Sequence, residues 1–214
     1  MFNKNNISWR EIDALRDCVK SYMSEERYIH TLGVEQESEK LAEIFEYSDD
    51  ISKINAAALL HDITKELLND AQLGLCRKYD IKLSEQDMCV PKSWHAKTAA
   101  YVAQHEFNAD YEIFNAIYYH TFGAPYEIFD LAAKIIYFAD WIEPNRTFKL
   151  CIEVREWFYR NIENANTLED KYKVLDKAIL LSLDKTIVAL INDRVFIHED
   201  TLQSRNSFIS CGDR

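Results

Sequence analysis

Residues 54–64, INAAALLHDIT, decide the class of this protein. The stretch contains no glycine or proline, and Ser52 is placed to cap a helix that carries it to Thr64. Ile54, Ala57, Ala58 and His61 share one face at helical spacing, so an apolar stripe runs directly into an imidazole. The pattern recurs along the chain. His120 follows Ile113, Ala116 and Ile117 at the same intervals, and Asp140 follows Ala133, Ile136 and Tyr137. His30 shares a stripe with Arg27, Val34 and Leu41, and His95 precedes Thr98, Ala99 and Val102 on one face.

Helix punctuation fills the rest. Ser8–Glu11 reads as a capping box opening a helix to about Tyr22, and Ser24 caps a second to about Phe45, followed by a break at Ser48–Asp50. Further helices are predicted over 69–79, 94–104, 110–120, 126–142, 147–161 and 167–192, with 81–93 the least regular part. The 214 residues hold only 4 glycines and 3 prolines, about 3% where average usage would be roughly 12%. A sandwich or barrel needs a turn every ~8–12 residues, so the chain is predicted to be all-α. No glycine-rich phosphate loop can be built from Gly33, Gly74, Gly123 and Gly212.

A net charge of −11 opposes nucleic acid or an anionic membrane as partner. The longest apolar runs are five residues, where a membrane-spanning helix needs ~20. The N-terminus has no apolar leader, and the five cysteines are widely spread with no C-x-x-C, which reads as reduced thiols in a soluble, cytoplasmic protein. A homodimer is compatible with apolar helices of this kind. His105, ending its helix, reads as structural, and His198 as solvent-facing in a polar, aperiodic tail, 198–214.

One buried histidine is satisfied by a backbone carbonyl. Asp140 is harder to accommodate, because an unpaired carboxylate among large apolar side chains costs several kcal/mol. Lys134 or Arg146 could pair with it. His30, His61, Asp62, His95, His120 and Asp140 lie on five separate predicted helices, each on or beside an apolar stripe. Six such groups are best explained by a common divalent metal partner. Four imidazoles and two carboxylates exceed the needs of one tetrahedral zinc and fit two ions sharing Asp62. Mixed nitrogen and oxygen donors favour iron, manganese, cobalt or zinc over magnesium or calcium. Lys65, one turn beyond His61 and Asp62, overhangs the same place.

The order H…HD…H…H…D, in the segments RYIHTLGV (27–34), ALLHDITKE (58–66), WHAKTAAYVAQHEF (94–107), AIYYHT (116–121) and KIIYFADWIEPNR (134–146), resembles the HD superfamily of metal-dependent phosphohydrolases. Within it, the chain resembles the bacterial YqeK-type symmetrical diadenosine tetraphosphate hydrolases. The resemblance implies a single HD-domain helical bundle with additional C-terminal helices over 1–197, followed by the tail. It implies an iron-containing dinuclear site, with His30, His61, Asp62 and Asp140 on one ion and His95, His120 and again Asp62 on the other. Asp62 and Lys65 would be catalytic. Arg27, Lys65 and Arg146 would contact the substrate phosphates, with Thr121 and Asn145 weaker candidates for the substrate pocket. The implied reaction is hydrolysis of a small nucleotide, diadenosine tetraphosphate, to two ADP by metal-activated hydroxide. A nucleotidase or other phosphate-ester hydrolase of the superfamily, and a catalytically weak nucleotide-binding sensor, stay open as alternatives.

Overall fold

The computed structural model describes residues 2–47 and 49–211, and the described residues contain helices and no strands. The predicted break at Ser48 and the last three tail residues, 212–214, lie outside them. The helices are α1 (Ile12–Lys20), α2 (Glu25–Ile44), α3 (Ile51–Leu60), α4 (Asn69–Lys78), α5 (Glu85–Cys89), α6 (Trp94–Phe107), α7 (Tyr111–Tyr119), α8 (Leu131–Ile142), α9 (Lys149–Ile162), α10 (Leu168–Asn192) and α11 (Glu199–Cys211). Single 3₁₀ turns occupy Pro91–Ser93 and Tyr126–Ile128.

The architecture follows from which helices are apolar all round. In α3 every residue from Ile54 to Leu60 is buried, and α8 buries Ala132, Ala133 and most of 135–142. Helices of this kind need neighbours on all sides. Accordingly α3 packs against α1, α2, α6, α7 and α8, while α8 packs against α2, α3, α7, α9 and α10. A buried aromatic knot joins the two halves, with Phe158 of α9 at 4.8 Å from Phe138 and 6.3 Å from Phe45, ring centre to ring centre. The hairpin of α9 and α10 covers α8. No disulfide is formed among the described residues, and none of their helices is long and apolar enough to cross a membrane.

Several boundaries differ from the sequence reading. The Ser8 N–H donates to the Glu11 carboxylate, but the Ser8 hydroxyl accepts from Arg10 N–H and the Glu11 N–H bonds the Ser8 carbonyl, so the pair forms a turn rather than the expected capping box and α1 starts only at Ile12. Asp50, not Ser52, caps α3, accepting from the Ser52 N–H at 3.0 Å. Asp130 caps α8 by accepting from Ala133 N–H at 2.8 Å, so the expected single helix over 126–142 divides into a 3₁₀ turn and α8. The irregular stretch 81–93 contains α5, opened by a capping box of Ser84 and Asp87.

Two differences matter most for function. Helix α3 ends at Leu60, after which the backbone turns through Ile63 N–H to Leu60 O and Lys65 N–H to Asp62 O bonds. His61 and Asp62 therefore stand at a helix terminus rather than inside a helix. The expected tail instead contains α11, which buries Thr201, Ser204 and Phe208. Its inner stripe is mostly hydroxyl side chains, which hides it from a search for apolar periodicity. His198 is 4% exposed rather than solvent-facing, stacked on Phe122 at 4.3 Å.

Candidate metal centre

The C-terminal ends of α3, α7 and α8, the first turn of α6 and the second turn of α2 meet at one place. They bring together all six predicted ligands: His30 of α2, His61 and Asp62 after α3, His95 of α6, His120 capping α7, and Asp140 of α8. Helix termini suit this role, because a side chain there can leave the packed face and turn into the gap between elements.

The imidazoles are oriented alike. His61 Nδ1 meets the Ala58 carbonyl at 2.6 Å, His120 Nδ1 the Ile117 carbonyl at 2.6 Å, and His95 Nδ1 the Lys92 carbonyl at 2.8 Å. A carbonyl only accepts, so each Nδ1 carries the proton and each Nε2 presents a lone pair inward. His30 Nδ1 meets the Glu143 carboxylate at 3.0 Å. This outer partnership is the usual support of metal-bound histidines. Two inward Nε2 atoms, those of His95 and His120, lie only 3.0 Å apart. With both Nδ1 atoms protonated, two lone pairs face each other there, an arrangement that a cation relieves.

Asp62 divides the cluster. Its Oδ2 faces His61 Nε2 at 3.4 Å, His30 Nε2 at 3.9 Å and Arg27 at 2.8 Å. Its Oδ1 faces His95 Nε2 at 3.2 Å, His120 Nε2 at 3.6 Å and Lys65 at 3.9 Å. Asp140 Oδ1 lies 3.0 Å from His30 Nε2 and 3.9 Å from His61 Nε2. Donor atoms of His30, His61 and Asp140 lie within 4.8 Å of one another, as do those of His61, Asp62 and His120. Buried His30 Nε2, His61 Nε2 and Asp62 Oδ1 have no hydrogen-bond partner. Buried polar atoms are almost always satisfied, and these borderline nitrogen and oxygen donors fit divalent transition-metal ions.

The electrostatics agree. Burial opposes ionisation of Asp62, yet the neighbouring His61 ring and Lys65 hold it well below the usual carboxylate range. Asp140 is likewise held down against burial by Arg146 and His30. Burial, with Lys65 nearby, pushes His95 down to about 3, and burial also lowers His120, so both stay neutral donors. Burial opposes charge on His30, but the adjacent Asp140 and Glu143 carboxylates outweigh it and raise that histidine to about 9.

The predicted substrate contacts flank this cluster. Arg27 and Arg146 each pair with a ligand carboxylate and, with Asn145, line a cavity of about 380 Å³. Lys65 Nζ is 2.9 Å from His95 Nε2 and Thr121 Oγ1 is 3.3 Å from it, and both line a second cavity of about 250 Å³. His105 is separate from the site, stacked on Tyr79 at 4.8 Å.

Sequence reasoning missed Glu143 and Gly33. Glu143 is 1% exposed and aims His30, while Asn145 N–H donates to its other oxygen at 2.6 Å. It stands between the end of the predicted helix 126–142 and Pro144, where the local sequence signals only a helix end. Gly33 packs beneath it: a Cβ there would collide with Glu143 Oε2 and come within 2.8 Å of Asn145 Nδ2. Gly33→Ala is thus expected to push Glu143 off His30 and weaken metal affinity about 10–100-fold, the usual cost of losing an outer-shell partner, read by metal titration.

The sequence matches the HD domain family over residues 27–145. It is 34% identical over 196 residues to a Bacillus subtilis (strain 168) protein named bis(5'-nucleosyl)-tetraphosphatase, symmetrical, covering 90% of this chain and 95% of that one. A Halalkalibacterium halodurans protein of the same name is 34% identical over 194 residues, covering 89% and 93%. The fold superposes with TM-score 0.79 on a Clostridium acetobutylicum crystal structure described as a predicted HD superfamily hydrolase involved in NAD metabolism, 33% identical, covering 92% of this chain and 96% of that one. With the ligand order, the fold and the similarity over nearly the whole length in agreement, the chain belongs to the HD domain family and, within it, to the family of the symmetrical bis(5'-nucleosyl)-tetraphosphatases.

Proposed function

We propose that this protein hydrolyses dinucleoside polyphosphates and cleaves diadenosine tetraphosphate at its central bridge to two ADP. The observation that carries the reading is Asp62, whose two oxygens face two separate histidine groups. In this reading His30, His61, Asp62 and Asp140 hold one divalent ion, and His95, His120 and Asp62 hold a second. Iron is the assignment, with manganese, cobalt or zinc able to fit the same donors. When bound, such ions supply acidified water and offset the charge that builds on the phosphates.

The chain's own residues then position the substrate. Arg27 and Arg146 sit on one side of Asp62, half-buried and braced by carboxylates, with planar forks suited to paired phosphate oxygens. Lys65 stands on the other side as a point charge beside His95. These three cations let a protein of net charge −11 accept a highly anionic chain. In the reaction a water oxygen joins one central phosphorus, the central P–O bridge breaks, and the water protons are divided between the two ADP products.

The test is incubation of metal-quantified protein with diadenosine tetraphosphate and separation of the products. ADP alone is expected. AMP with ATP would overturn the cleavage position, and no turnover with two ions bound would redirect the reading to another phosphate ester. Lys65→Ala is expected to keep the metal content and lose about 10²–10³-fold in kcat/KM, the scale of one electrostatic donor at a reacting phosphate. Loss of metal in that variant would instead make Lys65 a support of the cage.

A further inference from the structure

The second cavity, about 250 Å³, begins at the metal centre and ends in the C-terminal segment. Its inner end carries Lys65, His95 and Thr121, all within the hydrogen-bond network of the centre. Its outer walls are apolar and aromatic, with Phe122 following Thr121 directly and Phe196 arriving from the connector between α10 and α11. Phe196 is 44% exposed, a large apolar ring left uncovered at a cavity mouth.

The connector is shaped to deliver that ring. Arg194 adopts the left-handed conformation at φ 55° although it is not glycine. The Val195 N–H reaches back to the Leu190 carbonyl at 2.9 Å and the Arg194 N–H to Ile191 at 3.1 Å, the paired bonds of a Schellman stop. The chain therefore leaves α10 sharply and turns toward the centre. Beyond Phe196, His198 also lines the cavity. It is 4% exposed, its Nδ1 accepts from the Asp200 N–H at 3.1 Å, and its buried Nε2 has no hydrogen-bond partner. That Nε2 faces Asp87 Oδ1 at 3.6 Å, and Asp200 Oδ2 lies 3.5 Å from the Nδ1. A cavity with a charged inner end and aromatic outer walls is what a ligand with an anionic tail and a flat aromatic face would use.

We propose that this cavity binds one nucleoside end of the substrate, with the base against Phe122 and Phe196, so that specificity for a nucleoside polyphosphate is supplied by the C-terminal connector outside the matched HD region. The inference rests on the hydrolase reading above. The two cavities share no lining residue and lie on the two sides of Asp62, one with Arg27 and one with Lys65. A tetraphosphate centred on Asp62 leaves two phosphates and a ribose reaching each way. The side with Lys65 then leads its base into the apolar cavity. Flat apolar rings take a base by stacking, with no need for a glycine-rich loop.

The experiment compares wild type with Phe196→Ala and Phe196→Trp, following both diadenosine tetraphosphate hydrolysis and calorimetric binding of ADP and of inorganic tripolyphosphate. Phe196 is exposed on a connector, so loss of its ring spares the core. Stacking against a ring held equally in ground and transition state raises KM without changing kcat. Phe196→Ala is expected to raise KM about tenfold at unchanged kcat, within the usual worth of one base stack, while tripolyphosphate binding stays as in wild type and Phe196→Trp recovers the wild-type KM. An unchanged KM in Phe196→Ala, or tripolyphosphate affinity falling in parallel, overturns the proposal. If wild type does not hydrolyse diadenosine tetraphosphate, the hydrolase reading fails on its own account. The cavity is then judged by ADP: selective loss of ADP affinity in Phe196→Ala supports it, and equal affinity overturns it.

Discussion

Replacing Asp62 with alanine is expected to remove stoichiometric metal from both sides of the centre and to lower diadenosine tetraphosphate hydrolysis by about 10³-fold or more. The reason is positional. Asp62 is 3% exposed, its Oδ2 faces His30 and His61, and its Oδ1 faces His95 and His120. No other carboxylate reaches both groups within 4 Å among the described residues, since Asp140 touches only His30 and His61. The substitution also leaves Arg27 and Lys65 without their shared acid, and removing one partner of a buried pair destabilises by about 3–5 kcal/mol. Asp62→Asn, which preserves shape and volume, separates the two effects. It should melt nearer the wild-type temperature and still lose metal. Retention of two ions per chain by a folded Asp62→Asn protein would refute the bridging role.

The second large effect is thermal. After chelation, the protein keeps four inward imidazoles and two carboxylates crowded together, with His95 Nε2 and His120 Nε2 at 3.0 Å. Adding a divalent transition metal at about 100 times its dissociation constant should stabilise the native state by about 2.7 kcal/mol. For a chain of this size that corresponds to a rise of about 5–10 °C in melting temperature, measured by calorimetry on chelated and reloaded protein. Magnesium, which prefers oxygen donors and keeps its waters, should give a smaller shift than manganese or iron. The rise should vanish in Asp62→Asn. Equal melting temperatures with and without transition metal in the wild type would remove the metal-centre assignment.

Much of this was legible in the sequence because two signals are local. The scarcity of glycine and proline, with apolar residues at helical spacing, marks an all-helical chain, and the stripes that end in His61, His120 and Asp140 mark polar groups turned inward. A polar group on a buried face needs a partner wherever the face packs, so six of them could be named together before any contact was known. The helix ends were less legible. Ser52 and Asp50 are both competent caps two residues apart, and only the folded backbone selects Asp50. Helix α11 was missed because Thr201 and Ser204 share its inner face with Phe208, and hydroxyls do not register as a hydrophobic stripe.

What the sequence determined by itself is therefore the helical class, the inward-facing set of imidazoles and carboxylates, and the chemical preference such donors have for transition metals. Those follow from residue type and from periodicities within single helices. The tertiary structure alone decided how the set is used. It placed Glu143 against His30, kept Gly33 small to admit it, turned the two oxygens of Asp62 toward different histidines, and brought Phe196 to the mouth of the cavity beside Lys65. Each of these joins elements far apart in the chain. Helical periodicity reports only that a side chain faces inward, and which distant group it meets there is set by how the helices pack.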